Sequence, residues 1–130
     1  MIDFTNEFVS NSVVVVKVHG VLDRMSRKYF FDCIGDQFSS DVRHIVIDCS
    51  GLGTVTSSAV MAMLAARMRV RKRGQQIYFT HLSSSVSNVL EVTTLSMMTV
   101  IHRTTQELLK YIYRSETPRL EPQMTSLTSQ

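Results

Sequence analysis

Residues 48–64 read DCSGLGTVTSSAVMAML, which gathers Ser50, Thr54, Thr56, Ser57 and Ser58 around Gly51 and Gly53. Hydroxyls in such a seam suit four tasks: cradling a nucleotide phosphate, attacking an acyl group, accepting a phosphoryl group, or capping a helix. Each task needs different company. A dinucleotide fingerprint requires a third glycine where Thr56 stands and an acidic ribose ligand about 20 residues further on, where RKRGQQIYFTH supplies none. The patterns GxxxxGK[ST] and GxSxG are both missing, which removes the phosphate-cradling loop and the nucleophile elbow. Acyl transfer by Ser57 or Ser58 needs a base and a group to orient it, and His19, His44, His81 and His102 are too widely spaced to nominate one. Each reads as a surface or strand-end residue. Cys33 and Cys49 form no CxxC pair and lie near no histidine pair, so they offer no metal-ligand set and read as buried free thiols of a reducing cytosol. No catalytic residue, metal or cofactor is indicated, and the chain is not expected to be an enzyme.

Two uses of the seam survive. The first amide groups of a helix point outward unpaired and its dipole places about half a positive charge there, so a hydroxyl at that end is well placed to carry a phosphate. Thr56 and Ser57 are equally ordinary capping residues. From the residues alone the capping reading is preferred.

The elements that must position this seam follow from periodicity. FVSNSVVVVKVHG reads as a strand ending near Val9, a turn at Ser10, Asn11 and Ser12, and a β-branched strand from Val13 to His19. Met25, Tyr29, Phe30, Cys33, Ile34 and Phe38 recur at helical spacing, with Ser26 as cap. HIVID is a continuous apolar run suited to a strand covered on both faces. The next helix is expected over 57–73 and is stopped by Gly74, with alanines at 59, 62, 65 and 66 allowing close approach to a sheet. QQIYFT then reads as a strand, SSSVSNVLEV as a short helix, MTVI as the last strand, and TTQELLKYIYR as a final helix turning Leu108, Leu109, Ile112 and Tyr113 inward. Strands alternating with helices after an initial hairpin predict an α/β domain over 1–114 with a mostly parallel, mixed sheet covered by helices. Residues 115–130 hold both prolines and few apolar side chains, and read as a disordered tail. Sites in such sheets collect at the carboxyl ends of strands, where the seam falls.

Charge and hydropathy narrow the partners. With 130 residues, 44% of them hydrophobic, the chain has room for one domain. Its longest apolar run, the eight residues from Ala59 to Ala66, falls well short of the about 20 needed to span a bilayer, and MIDFTNEFVSNS lacks the features of a secretion signal. A cytoplasmic protein with no membrane insertion is expected. The net charge of +3 rests on Arg67, Arg69, Arg71, Lys72 and Arg73, without which the balance is negative. Around a helix these five point in several directions, giving a solvated collar and not a groove-reading stripe, so no direct nucleic-acid contact is expected.

VVVVKVHGVLD, HIVIDCSGLGTVTSSAVMAML, RKRGQQIYF and SSSVSNVLEVTTL resemble, in order and spacing, the STAS domain of bacterial anti-sigma factor antagonists over about residues 13–112. Asp48, Ser50, Val55, Ser57, Ser58 and Leu64 or its neighbours occupy places in the family's core segment, Gly20, Leu22 and Asp23 match its G-x-L-D, and Leu90, Thr93 and Leu95 match its L-x-x-T-G-L. The resemblance implies a single STAS domain that takes part in transcription regulation by partner switching. The unphosphorylated form would bind an anti-sigma factor, often itself a serine protein kinase, and so free the sigma factor. Phosphorylation at Ser58, or at neighbouring Ser57 or Thr56, would block binding, and a metal-dependent serine phosphatase would restore it. The implied partner surface comprises Asp23, Thr54, Thr56, Ser57, Ser58, Ala59 and Met61. Thr56 replaces the family's aspartate, Ala59 its glycine and Thr94 the glycine of its TGL. Those departures favour an alternative in the same family, a constitutive docking module of a lipid-transport ATPase or a signalling complex, not regulated by phosphorylation.

Overall fold

Four consecutive valines, Val13 to Val16, are buried on both sides of a strand only if a helical layer covers each face of its sheet. The computed structural model describes residues 2–35, 38–84, 88, 100–102 and 104–116, with the backbone alone at 54, 55, 57–59, 100–102, 115 and 116. The chain runs β1 (Ile2–Phe8), β2 (Val13–Leu22), α1 (Arg27–Gly35), β3 (His44–Val55), α2 (Ser57–Lys72), β4 (Gln76–Thr80), β5 (Val100–His102) and α3 (Thr105–Glu116). The five strands lie in the order β1-β2-β3-β4-β5; β1 is antiparallel to β2, and the remaining pairs are parallel. The mixed sheet after an opening hairpin is therefore as expected. The short helix expected at 83–92, the motif residues Leu90, Thr93, Thr94 and Leu95, and the tail beyond Glu116 fall largely or wholly outside the described residues. No helix among the described residues is long and apolar enough to cross a membrane.

Alternation along the strands divides the core. Val14, Val16, Val18, Ile45, Ile47, Ile77 and Phe79 meet Phe30 and Ile34 of α1 and Val60, Met63, Ala66 and Val70 of α2. Val13, Val15, Val46 and Tyr78 point the other way, onto Leu108 and Ile112 of α3. The inward stripe of α3 is narrower than expected: Leu109 is half-buried and Tyr113 is 69% exposed. A helix against one face of a sheet buries one side only, and Tyr113 falls beyond that stripe. Met25 and Tyr29 are also exposed, because α1 starts after Met25 and its inward side is taken by Phe30 and Ile34. The basic collar is not wholly solvated either. Arg67 is buried and its Nη1 has no hydrogen-bond partner, since it lies on the inward side of α2 between Met63 and Val70.

Both ends of the helical layer are closed by local chemistry. Asp23 Oδ1 accepts the amides of Met25 (2.9 Å) and Ser26 (3.2 Å) ahead of α1. Ser26, the expected cap, supplies its carbonyl to the Phe30 amide and donates its hydroxyl back to the Val21 carbonyl, which ties the helix start to the end of β2. At the far end of α2 the Gln75 amide reaches the Val70 carbonyl and the Gly74 amide the Arg71 carbonyl, with Gly74 at φ 79°. This is a Schellman closure, in the conformation that glycine adopts without a Cβ penalty.

β3 is two residues longer than its partner over the shared ladder, since Val13 faces His44 while Leu22 faces Val55. The surplus is taken up in two irregularities, between Lys17 and His19 and between Gly20 and Val21. Gly51 sits at the first, opposite His19, where a Cβ would overlap His19 Nδ1 and stand 2.7 Å from the Val18 carbonyl oxygen. The imidazole can rotate away, but the carbonyl cannot without breaking the ladder. Gly51→Ala is therefore expected to lower stability by at least about 2 kcal/mol. Adding His19→Ala should recover only part of that loss in urea unfolding, and full recovery would show that the backbone contact does not matter.

Candidate functional site

The seam is largely strand, since β3 runs on to Val55 and α2 begins at Ser57. Pairing of β3 with β4 ends at Asp48 and Thr80, yet residues 49–55 continue as a strand held, among the described residues, by β2 alone. Glycine and small hydroxyl residues permit this one-sided arm because it must bulge twice against β2. At its end the Thr56 amide donates to the Leu22 carbonyl at 3.3 Å, and the Thr56 carbonyl accepts the Val60 amide at 3.2 Å. Thr56 thus joins the last residue of β2 to the first bond of α2, in the place of an N-cap.

This geometry fixes where the candidate residues stand. Ser57, Ser58 and Ala59 are the first three residues of α2, Asp23 follows Leu22 at the end of β2, and Thr54 pairs with Val21. Topology therefore brings Asp23, Thr54, Thr56 and the start of α2 to one end of the sheet, although Asp23 and Thr56 are distant in sequence. Thr56 is exposed, Met61 is 57% exposed and Asp23 is half-buried with Oδ1 committed to the turn before α1. The side chains of Thr54, Ser57, Ser58 and Ala59 lie outside the described residues. The first turn of α2 carries no acidic side chain, so its amides and dipole end face no competing carboxylate from their own helix.

Beneath this edge lies a polar cluster that sequence spacing does not reveal. Asp48 is buried; its Oδ1 accepts the Ser50 amide at 3.0 Å and its Oδ2 the Thr105 hydroxyl at 3.3 Å. Thr105 Oγ1 lies 2.9 Å from Thr80 Oγ1, and its amide donates to His81 Nε2 at 3.1 Å. His81 holds φ 57°, a left-handed conformation uncommon outside glycine. The cluster links the end of β3, the end of β4 and the start of α3. Burial by itself raises the Asp48 carboxyl, but the Ser50 amide and hydroxyl, the His81 ring and the Thr105 hydroxyl outweigh it and hold the carboxyl below its ordinary value. Of these residues the family motif points only to Asp48; His81 reads from the sequence as a surface or strand-end residue, and no spacing rule joins a strand end to a helix start 24 residues later.

Nucleophilic and metal chemistry find little here. Cys49 is buried beside Asp48, and burial first, with that carboxylate second, pushes its thiol far up and away from the reactive thiolate. Cys33 is half-buried, more open than expected. Among the described residues no three histidine, cysteine or acidic side chains gather closely enough to hold a metal ion.

A carboxylate whose folded-state value is depressed contributes stability above its unfolded value and loses it as pH falls through the folded one. The wild-type protein should accordingly lose stability below the ordinary carboxylate range. Asp48→Asn keeps one acceptor only, so it should cost about 1–2 kcal/mol at pH 7 and flatten the acid limb. Urea midpoints from pH 7 down to pH 3 measure both, and parallel acid limbs would assign the pH dependence to other carboxylates.

Comparison with known proteins follows the same outline. The STAS domain profile matches residues 8–108, close to the expected 13–112. A search of curated proteins finds no match. Among solved structures, an anti-sigma factor antagonist from Mycobacterium paratuberculosis superposes with TM-score 0.75 at 18% identity, covering 87% of this chain and 95% of that one. The Bacillus cell fate determinant SpoIIAA, in its phosphorylated form, gives TM-score 0.65 at 20% identity over 85% of this chain and 99% of its own. The STAS domain of a SulP transporter from Vibrio cholerae gives 0.63 at 10% identity over 84% and 86%. At such identities the likeness to these structures is one of fold. The profile match, in contrast, runs from the hairpin through the bulged arm of β3, the capped start of α2 and on to α3, and this chain belongs to the STAS domain family.

Proposed function

We propose that this chain is an anti-sigma factor antagonist-like switch that works by binding, not by catalysis. Its unphosphorylated form captures an anti-sigma factor or serine protein kinase in the cytoplasm through the start of α2 and the adjoining end of β2. Asp23, Thr54, Thr56, Ser57, Ser58, Ala59 and Met61 form that surface. The observation that carries this reading is the position of Thr56, exposed and bonded to Leu22, which sets Ser57 and Ser58 in the first turn of a helix beside Asp23. A phosphate on Ser58, or on Ser57 or Thr56, adds about −1.5 to −2 charges and a strongly hydrated group to a surface a partner must desolvate. Its charge suits the amides and positive dipole end of the first turn, so the fold tolerates the modification while docking is lost. A metal-dependent serine phosphatase completes the cycle. The fold shared with SpoIIAA, a protein solved in a phosphorylated form, agrees with this reading.

A second reading has its own support. Thr56 and Ala59 depart from the family pattern, and the same fold serves as the STAS domain of a SulP transporter. On that reading the module docks constitutively and the serines are never modified.

Ser58→Asp is expected to reduce partner capture from host extract by at least about tenfold, the loss of about 1.4 kcal/mol of binding free energy, and to leave the unfolding midpoint nearly unchanged. Ser58→Ala should keep capture and resist phosphorylation. Intact-mass measurement after incubation with extract and ATP separates the readings: a phosphate on residues 56–58 supports the switch, and an unmodified chain that still captures its partner supports the constitutive module.

A further inference from the structure

The outward side of α2 carries apolar residues that no described element of the fold covers. Met61 is 57% and Met68 51% exposed, and Ala65 between them is exposed as well. With half-buried Phe31 of α1 they line two adjoining hollows of about 330 and 500 Å³ between the two helices. Arg27 and Lys28 rim the first hollow, and Arg69, Lys72 and Arg73 rim the second. The Arg69 guanidinium stands 5.2 Å over the Phe31 ring, so cation and apolar floor form one surface. Among the described residues Asp32 pairs with Lys28 at 2.8 Å and Arg73 donates to the Phe38 carbonyl, and α2 has no carboxylate anywhere along its length.

We propose that this groove docks an amphipathic helix of a partner protein, apolar on one side and flanked by carboxylates. From Met61 to Lys72 the floor and rim extend about 16 Å along α2, or about three turns of a docked helix, which would lie against both helices as a third ridge. Three competing occupants fit less well. A second copy of the chain would bring the same basic rim against this one and be repelled. The segment beyond Glu116 carries one acidic and one basic residue and two prolines, so it is neither acidic nor helix-forming. An anionic bilayer would meet the cations but offers no ridge for a recessed floor. The proposal concerns a surface further along α2 than the phosphorylation edge, shares only Met61 with it, and holds whether or not Ser58 is ever modified.

The test uses the full chain and a labelled synthetic peptide of about 14 residues, long enough for helix to form on contact, with leucines at i, i+3, i+4 and i+7 and glutamates elsewhere. Fluorescence anisotropy should show saturable binding that weakens as salt rises, with methyl resonances of Met61 and Met68 shifting. Met68→Glu and the double variant Arg27→Glu/Lys72→Glu, all at exposed positions, should each weaken binding at least tenfold with the unfolding midpoint retained, whereas Ser58→Asp should leave it unchanged. A peptide with lysines in place of the glutamates should not bind. Absence of saturable binding, shifts that avoid Met61 and Met68, equal binding of the lysine peptide, or sedimentation with phosphatidylglycerol vesicles in place of peptide binding would each overturn the proposal.

Discussion

The pairing of β3 with β2 beyond the reach of β4 is the constraint on which the rest of the site depends. A parallel ladder delivers two chain ends side by side, here Leu22 and Val55. The hydrogen bond from the Thr56 amide to the Leu22 carbonyl then converts that adjacency into a fixed starting point for α2. Because β3 spends two more residues than β2 in reaching this point, its backbone must crowd its neighbour, and the absence of a Cβ at Gly51 is what lets the strands stay paired. Gly51 in the seam thus serves strand geometry. The hydroxyls of Thr56, Ser57 and Ser58 belong to the helix that follows.

Two different kinds of cohesion hold the arm in place. Below it, apolar burial on both faces of β2, β3 and β4 clamps the sheet between α1 and α2 on one side and α3 on the other. At the carboxyl ends that burial gives way to the cluster of Asp48, Thr80, His81 and Thr105, where a buried carboxylate is tolerated because its oxygens are supplied with donors. The cluster binds the start of α3 to the sheet at the level where the arm departs. A partner meeting the edge near Asp23 and Thr56 would meet a surface anchored from both layers, and a charge change there would act on docking before it acted on folding.

The helical layer shows the reverse case, apolar surface that no described element covers. Alanine at 62 and 66 brings α2 close to the sheet as its sequence suggests, yet Met61, Ala65 and Met68 face outward beside Phe31. A helix that is apolar nearly all round in its first half cannot bury every side against one sheet and one neighbouring helix. The uncovered side lies among basic residues, which keeps it in contact with water and sets the charge of what can cover it.

Element order, the hairpin, the two-sided strands and the end of α2 at Gly74 were legible in the sequence because each follows from local periodicity or from a residue whose backbone preference is unusual. The placement of Ser57 and Ser58 at a helix start was legible for the same reason. The continuation of β3 through Ser50 and Gly51, the inward turn of Arg67 and the exposure of Tyr113 were not, since each depends on which neighbour happens to cover a given side. The local sequence by itself determined the menu of strands, helices and caps, through interactions within a few residues. Only the tertiary structure decided that Leu22 meets Thr56, that Asp48 meets Thr105 and that Met61 and Met68 stay largely exposed while Met63 is buried, because strand pairing and layer packing join residues whose separation along the chain carries no signal.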